Sequence, residues 1–221
     1  MDRITALVYE IDYPIIADIG CDHGYTTIKA ILSGKAVFAY ACDINKGPLL
    51  KAEANIKKAG LSNKVILKLG NGLMPLSGTN VDSLIISGLG GYQIINILNQ
   101  GLKYTPNIRQ IILQPMKEIK NMRMFMHKIG YRIKNENIIN NRGIYYFILN
   151  CIPGEEHEYS EAEYELGRVL MQKKTDLFKN YINKEINKTE AILNKIHSNS
   201  SVKESIRTIE LNNRLQLLRK I

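Results

Sequence analysis

Two β-like runs with only four residues between them close the first two thirds of this chain, and they restrict its topology more than any other feature. Tyr131–Ile139 and Ile144–Ile152 flank Asn140-Asn141-Arg142-Gly143, a hairpin connection by length and composition. No crossover helix fits there, so the two strands must pair antiparallel. Ahead of them, strand and helix signals alternate. Strands are expected at Pro14–Gly20, Ala36–Cys42, Lys64–Leu69, Val81–Ile86 and Arg109–Leu113. Helices are expected at Tyr25–Ser33, Lys46–Ala59, Tyr92–Leu98 and Lys117–Lys128, the first two stopped by Gly34 and Gly60. Such alternation implies parallel pairing through crossovers. A dinucleotide dehydrogenase would continue with another β-α-β half instead of a hairpin. The expected fold class is α/β, a Rossmann-like, mostly parallel sheet with a terminal antiparallel hairpin. Met1–Tyr13 places Ile4, Leu7, Val8 and Ile11 on one stripe, and is expected to be a helix that covers the sheet.

From Pro153 the composition changes. Leu166, Leu170, Leu177, Tyr181, Ile182, Ile186, Leu193 and Ile196 recur at helical steps, which predicts one long amphipathic helix. Ser198–Ser201 has turn composition, and Val202, Ile206, Ile209, Leu217, Leu218 and Ile221 form a second helical stripe. The expected domains are therefore residues 1–153 and a helical coiled-coil hairpin over residues 154–221. That hairpin is either a packing element, with a homodimer through it as one form, or an RNA-gripping arm studded by Lys173, Lys174, Lys179, Lys184 and Lys188.

At 221 residues, the chain is long enough for one ordinary domain and an appendage. No apolar run approaches a membrane span, and Met1-Asp2-Arg3-Ile4 lacks the basic-then-apolar start of a leader, so the expected compartment is the cytoplasm. Cys21, Cys42 and Cys151 are odd in number and have no C-x-x-C spacing, which points to buried thiols and not to a disulfide framework or a metal site. The net charge of +9 is uneven: residues 1–150 hold 18 Lys and Arg against 10 Asp and Glu. Nine of those cations fall between Lys103 and Arg142, among them Lys117, Lys120 and Arg123, as a phosphate-binding surface would require. A solvated helix face would look the same.

The chemistry is expected at the carboxyl ends of the strands. In Asp18-Ile19-Gly20-Cys21-Asp22-His23-Gly24-Tyr25, an apolar strand turns abruptly into acid and glycine before a helix starts. A G-x-G-x-x-G reading fails here, because a pyrophosphate would meet the Asp22 carboxylate. A ligand with a cationic or hydroxyl-bearing centre suits the turn better. Asp43, about 20 residues past Gly20 at the end of the second strand, is placed to accept from ribose hydroxyls. Asn71-Gly72 follows the third strand, and Ile44 and Leu73 are candidates to sandwich a base. Gly88 opens the glycine loop after the fourth strand.

Asp-Ile-Gly-Cys-Asp-His-Gly-Tyr, Ile-Ser-Gly-Leu-Gly-Gly and Leu-Gln-Pro, in this order and ahead of a helical tail, resemble the bacterial tRNA (adenine-N1)-methyltransferase family that modifies position 22. The resemblance covers essentially the whole chain and departs at Asn71, where Asp is usual, and at Met116, where Asn is expected. It implies a class I methyltransferase domain, S-adenosyl-L-methionine as methyl donor, tRNA as partner and a coiled-coil domain that grips it. Cofactor contacts then fall to Asp18, Gly20, Cys21, Asp43, Ile44, Asn71, Gly72 and Gly88. Substrate contacts fall to Gly90, Gly91, Gln114, Lys117, Lys120 and Arg123. The loop Ser87-Gly88-Leu89-Gly90-Gly91 lacks the side-chain acceptor and prolines favoured by methylases of exocyclic amines, which is compatible with in-plane attack by a ring nitrogen. Methylation leaves positive charge on the adenine, so Asp22 is the first catalytic candidate, with His23 and Tyr25 beside it. A methylase of another RNA or of a small molecule, and a nucleotide-binding module without chemistry, remain open.

Overall fold

The computed structural model describes residues 2–198 and 206–221. The chain divides into two compact units, Met1–Glu158 and Tyr159–Ile221. In the first, α1 (Arg3–Tyr9) precedes β1 (Ile15–Ile19), α2 (Tyr25–Leu32), β2 (Phe38–Asp43), α3 (Lys46–Lys58), β3 (Val65–Leu69) and β4 (Ser83–Leu89). Then follow α4 (Gly91–Gly101), β5 (Gln110–Pro115), α5 (Ile119–Lys128), β6 (Tyr131–Asn141) and β7 (Ile144–Pro153). The seven strands form one sheet in the order β3-β2-β1-β4-β5-β7-β6. The first five pair in parallel, whereas β7 runs antiparallel to both β5 and β6, as the four-residue connection requires. The strand order reverses beside β1, which makes the gap between β1 and β4 the topological switch point.

The central strands are apolar because helices cover both their faces. Ile16, Ala17, Leu84, Ile85, Ile86, Ile111, Ile112 and Leu113 are all withdrawn from solvent. α1 does more than cover the sheet. The residue that caps its C-terminus, Glu10, is buried; its carboxylate accepts from Asn135 and Asn150, while Gln110 Nε2 donates to the Glu10 carbonyl at 2.7 Å. These bonds tie the helix to β5, β6 and β7.

Arg123 departs from the expected basic surface. Both it and Glu136 are fully buried, joined by Nε and Nη2 on Glu136 Oε1 at 2.9 and 2.6 Å. An expected substrate contact is thus a core ion pair. A register shift between Ile133 and Asn135 in β6 turns Glu136 inward to meet it.

In the second unit the expected single long helix is three, α6 (Glu161–Leu166), α7 (Arg168–Lys173) and α8 (Asp176–Ser198). Gly167, at φ +90°, breaks the first junction. At the second, Lys174 is left-handed and Thr175 Oγ1 accepts from the Phe178 amide at 3.2 Å. α9 (Ile206–Leu218) packs on α8. Arg214 bridges Glu165 and Glu185 at 3.0 and 2.9 Å. Of the expected turn at Ser198–Ser201, all but Ser198 lies outside the described residues. Phe178, Ile182, Leu193, Leu215 and Leu218 are already buried in the single chain, so the expected homodimer through this arm gains no support from its apolar stripe.

Candidate active site

The loop after β1 is built by backbone bonds. The amides of Gly20 and Cys21 both donate to the Cys42 carbonyl at 2.9 Å, and Gly24 N donates to Cys21 O at 2.7 Å. Gly20 and Gly24 have φ +72°, and Asp22 is also left-handed at φ +48°. Gly24 additionally lets α2 approach α3, since a Cβ there would lie 3.2 Å from the Ala52 Cβ. Asn55 Nδ2 on the His23 carbonyl, at 3.0 Å, fastens the turn to α3. Gly24 caps α2 without any side-chain acceptor, so Asp22 is not spent on helix capping.

A cavity of about 520 Å³ opens where β1, β2, β3 and β4 end. It is lined by Asp18, Gly20, Cys21, Asp43, Ile44, Asn71, Gly72 and Gly88, and also by Asp22, His23 and Tyr25. Every residue expected to hold a cofactor, Leu73 excepted, and every residue expected to act in catalysis is therefore brought to one cleft. The size lies in the range of small-molecule sites.

Three carboxylates serve it differently. Asp18 is buried and accepts from Thr27 Oγ1 at 2.9 Å; burial pushes its carboxyl up from 3.8 to about 6, against the pull of that bond. Asp43 is held by two backbone amides, Asp22 N on Oδ2 at 3.2 Å and Asn45 N on Oδ1 at 2.9 Å. Each oxygen keeps a further lone pair for a ligand hydroxyl. Asp22, with its side chain 67% exposed, stands at the rim, 3.6 Å from His23 Nε2. The His23 ring stacks on Tyr25 at 5.6 Å and 22°, and Tyr25 is exposed. The thiols of Cys21 and Cys42 are free; burial raises both, Cys42 to about 12, so neither is a thiolate nucleophile at neutral pH.

The expected substrate residues do not line this cleft. Gly90 and Gly91 start α4 beneath Lys117 and Glu118; a Cβ on Gly91 would sit 2.6 Å from the Lys117 carbonyl, so that glycine serves close packing. Its amide donates to Glu118 Oε2 at 3.0 Å. Gln114 is buried at the end of β5, while Lys117 is open to solvent and Lys120 partly so. Leu73, expected to sandwich a base, is instead a core side chain against Gly101. Ile97 of α4 lines the cleft. Sequence reasoning also missed Arg3, Gln93 and Asn96, which line the cleft too. Among the described residues no cluster could hold a metal ion, and no helix is long and apolar enough to cross a membrane.

The chain is 28% identical over 217 residues to the tRNA (adenine(22)-N(1))-methyltransferase of Bacillus subtilis, covering 94% of this chain and 90% of that one. The solved Mycoplasma capricolum TrmK in complex with S-adenosyl-homocysteine superposes with TM-score 0.85 at 30% identity, over 100% of this chain and 96% of that one. A Streptococcus pneumoniae protein solved with S-adenosyl-L-methionine gives 0.88 at 26%, over 99% and 97%. The family model "TrmK: tRNA (adenine(22)-N(1))-methyltransferase" matches residues 16–220. A strand-end cleft, the terminal hairpin and a match along nearly the whole length lead to one conclusion: the chain belongs to the tRNA (adenine(22)-N(1))-methyltransferase family.

Proposed function

We propose that this protein methylates N1 of adenine 22 in tRNA, with the cofactor in the strand-end cleft and the target base on the rim formed by Asp22, His23 and Tyr25. The observation that carries the residue assignment is the rim itself. A solvent-facing carboxylate beside His23 and a stacked His23–Tyr25 pair stand directly beside the cleft. The cleft fits the cofactor by its own chemistry. Its walls offer the acceptors Asp18 and Asp43, an uncapped α2 N-terminus and the apolar side chains Ile44 and Ile97. S-adenosyl-L-methionine supplies an electrophilic methyl group on a sulfonium sulfur.

The chain's own groups do the rest. Asp43, locked by two amides, accepts from the ribose hydroxyls. Asn71 stands at the end of β3 to pair with the adenine edge of the cofactor. Adenine N1 normally faces a pairing partner in folded RNA, so the target base must leave its stack. The stacked His23–Tyr25 rings give it a surface to rest on. The neutral ring nitrogen needs no base to attack; the product ring is cationic, and the Asp22 carboxylate either stabilises that charge or removes it by accepting the N6 proton. Lys117 and Lys120, beside the glycine loop, meet phosphates.

Asp22→Ala tests the rim. The single-turnover methylation rate should fall about 100-fold or more. S-adenosyl-homocysteine affinity should stay within about twofold, because Asp43 and Asp18 remain. An unchanged rate would remove Asp22 from the chemistry.

A further inference from the structure

Tyr92 is the second residue of α4 and is 61% exposed, while its neighbour Gln93 lines the cleft. One exposed aromatic side chain alone would mean little; this one is fixed and flanked. Asn121 Nδ2, from α5, donates to the Tyr92 hydroxyl at 2.5 Å and orients the ring. The two helix starts that carry this pair are themselves joined, by Met116 N on Leu89 O at 2.8 Å and by Gly91 N on Glu118 Oε2 at 3.0 Å. Met116, in the turn between β5 and α5, is exposed, and so is the side chain of Lys117, 3.9 Å from Glu118 Oε1. Lys120 stands partly exposed in the first turn of α5. In the sheet β4 lies between β1 and β5. The strand ends therefore present, in order, His23 and Tyr25 after β1, Tyr92 after β4, and Met116 with the lysines after β5.

We propose that Tyr92 is a stacking platform for the RNA nucleotide next to the target adenine, with Lys117 and Lys120 on the phosphates of that stretch. The inference rests on the substrate reading above and extends it to a second base. The chemistry of the patch fits a single strand. An aromatic face accepts any base, and cations beside it follow the backbone. When the target base leaves its stack, the neighbouring base loses a partner on one face, and a ring that covers this face offsets the loss. The bond from Asn121 holds the ring before RNA arrives, which spares the entropy of ordering it. A protein partner with an apolar face would use Tyr92 and Met116 and have no use for the lysines.

The test is a cycle between protein and RNA, with Kd measured on the full chain at fixed salt in the presence of S-adenosyl-homocysteine. The RNAs are unmodified tRNA and the same tRNA made abasic at the nucleotide 5′ or 3′ of the target adenine. The platform predicts that Tyr92→Ala weakens intact tRNA about tenfold, and that one of the abasic sites costs the wild type as much. The same abasic site should cost Tyr92→Ala nothing further, because ring and base act as a pair. Tyr92→Phe, which keeps the ring and loses the bond from Asn121, should stay within about threefold of wild type. S-adenosyl-homocysteine affinity should be the same in all three proteins. Losses that add in the cycle would overturn the proposal, since the ring would then only brace α4 against α5. So would Tyr92→Phe as weak as Tyr92→Ala, or a wild type that methylates tRNA while Tyr92→Ala binds it unchanged. A wild type that methylates no tRNA would strike the substrate reading, and the platform would fall with it.

Discussion

Asp18 and Asp22 stand in one turn and in opposite electrostatic settings. Asp18 is buried at the floor of the cleft and Asp22 is open. Burial raises the Asp18 carboxyl from 3.8 to about 6, so in the unliganded protein its contribution to stability is fully present below about pH 4 and lost as pH rises through about 6. Asp18 lines the cleft, and a cationic ligand group drawn to its ionised form would have the opposite sign. S-adenosyl-homocysteine affinity measured by calorimetry should therefore fall as pH drops from 7.5 to 5, and Asp18→Asn should flatten that profile. An equally steep profile in the variant would place the titration elsewhere. Legibility at this scale followed locality. Asp18, Gly20, Asp22 and Asp43 announce themselves because strand, turn and helix signals sit beside them. Arg3 does not, because its meeting with Gln114 joins residues 111 apart in sequence and no local pattern encodes it. Arg123 was misleading for a related reason. The shift in β6 that turns Glu136 toward it is a bulge, and bulges leave little trace in an alternating pattern.

Each element carries its own check. The start of α4 is pressed against the start of α5, where a Cβ on Gly91 would lie 2.6 Å from the Lys117 carbonyl and 2.9 Å from the Glu118 Cβ. Gly91→Ala must move backbone, and should cost about 1–3 kcal/mol in urea unfolding. A neutral outcome would mean that the two helix starts separate easily. α5 and β6 share the buried Arg123–Glu136 pair. Arg123→Ala strands a carboxylate in the core and should cost about 3–5 kcal/mol, whereas the double change Arg123→Met with Glu136→Gln should recover most of it. Were Arg123 a phosphate contact, the single change would raise the tRNA KM at unchanged stability. The strands and crossover helices of the first unit were legible, because short continuous apolar runs alternate with segments of period 3.6 and glycines end the helices. The second unit was less so. Its apolar stripe continues across Gly167 and Thr175 in helical step, and the breaks come from one positive-φ glycine and a left-handed lysine.

At the scale of the molecule, the cleft can be tested apart from the helical arm. The residues that line the cleft all belong to Met1–Glu158. A chain ending at Glu158 should bind S-adenosyl-homocysteine with Kd within about twofold of the full protein. If the helical arm grips tRNA through its lysines, the same truncation should raise the tRNA KM tenfold or more and make the salt dependence of binding shallower. Loss of cofactor binding on truncation would contradict the autonomy of the first unit; an unchanged KM would leave the arm without a role in RNA binding. The most direct measurement of the central claim is transfer of labelled methyl from S-adenosyl-L-methionine to unmodified tRNA, with the product nucleoside identified and mapped. The account predicts 1-methyladenosine at position 22, and no incorporation when that adenine is replaced by guanine. Methyl incorporation at another position or another atom, or a protein that binds the cofactor yet leaves tRNA unmethylated, would contradict it.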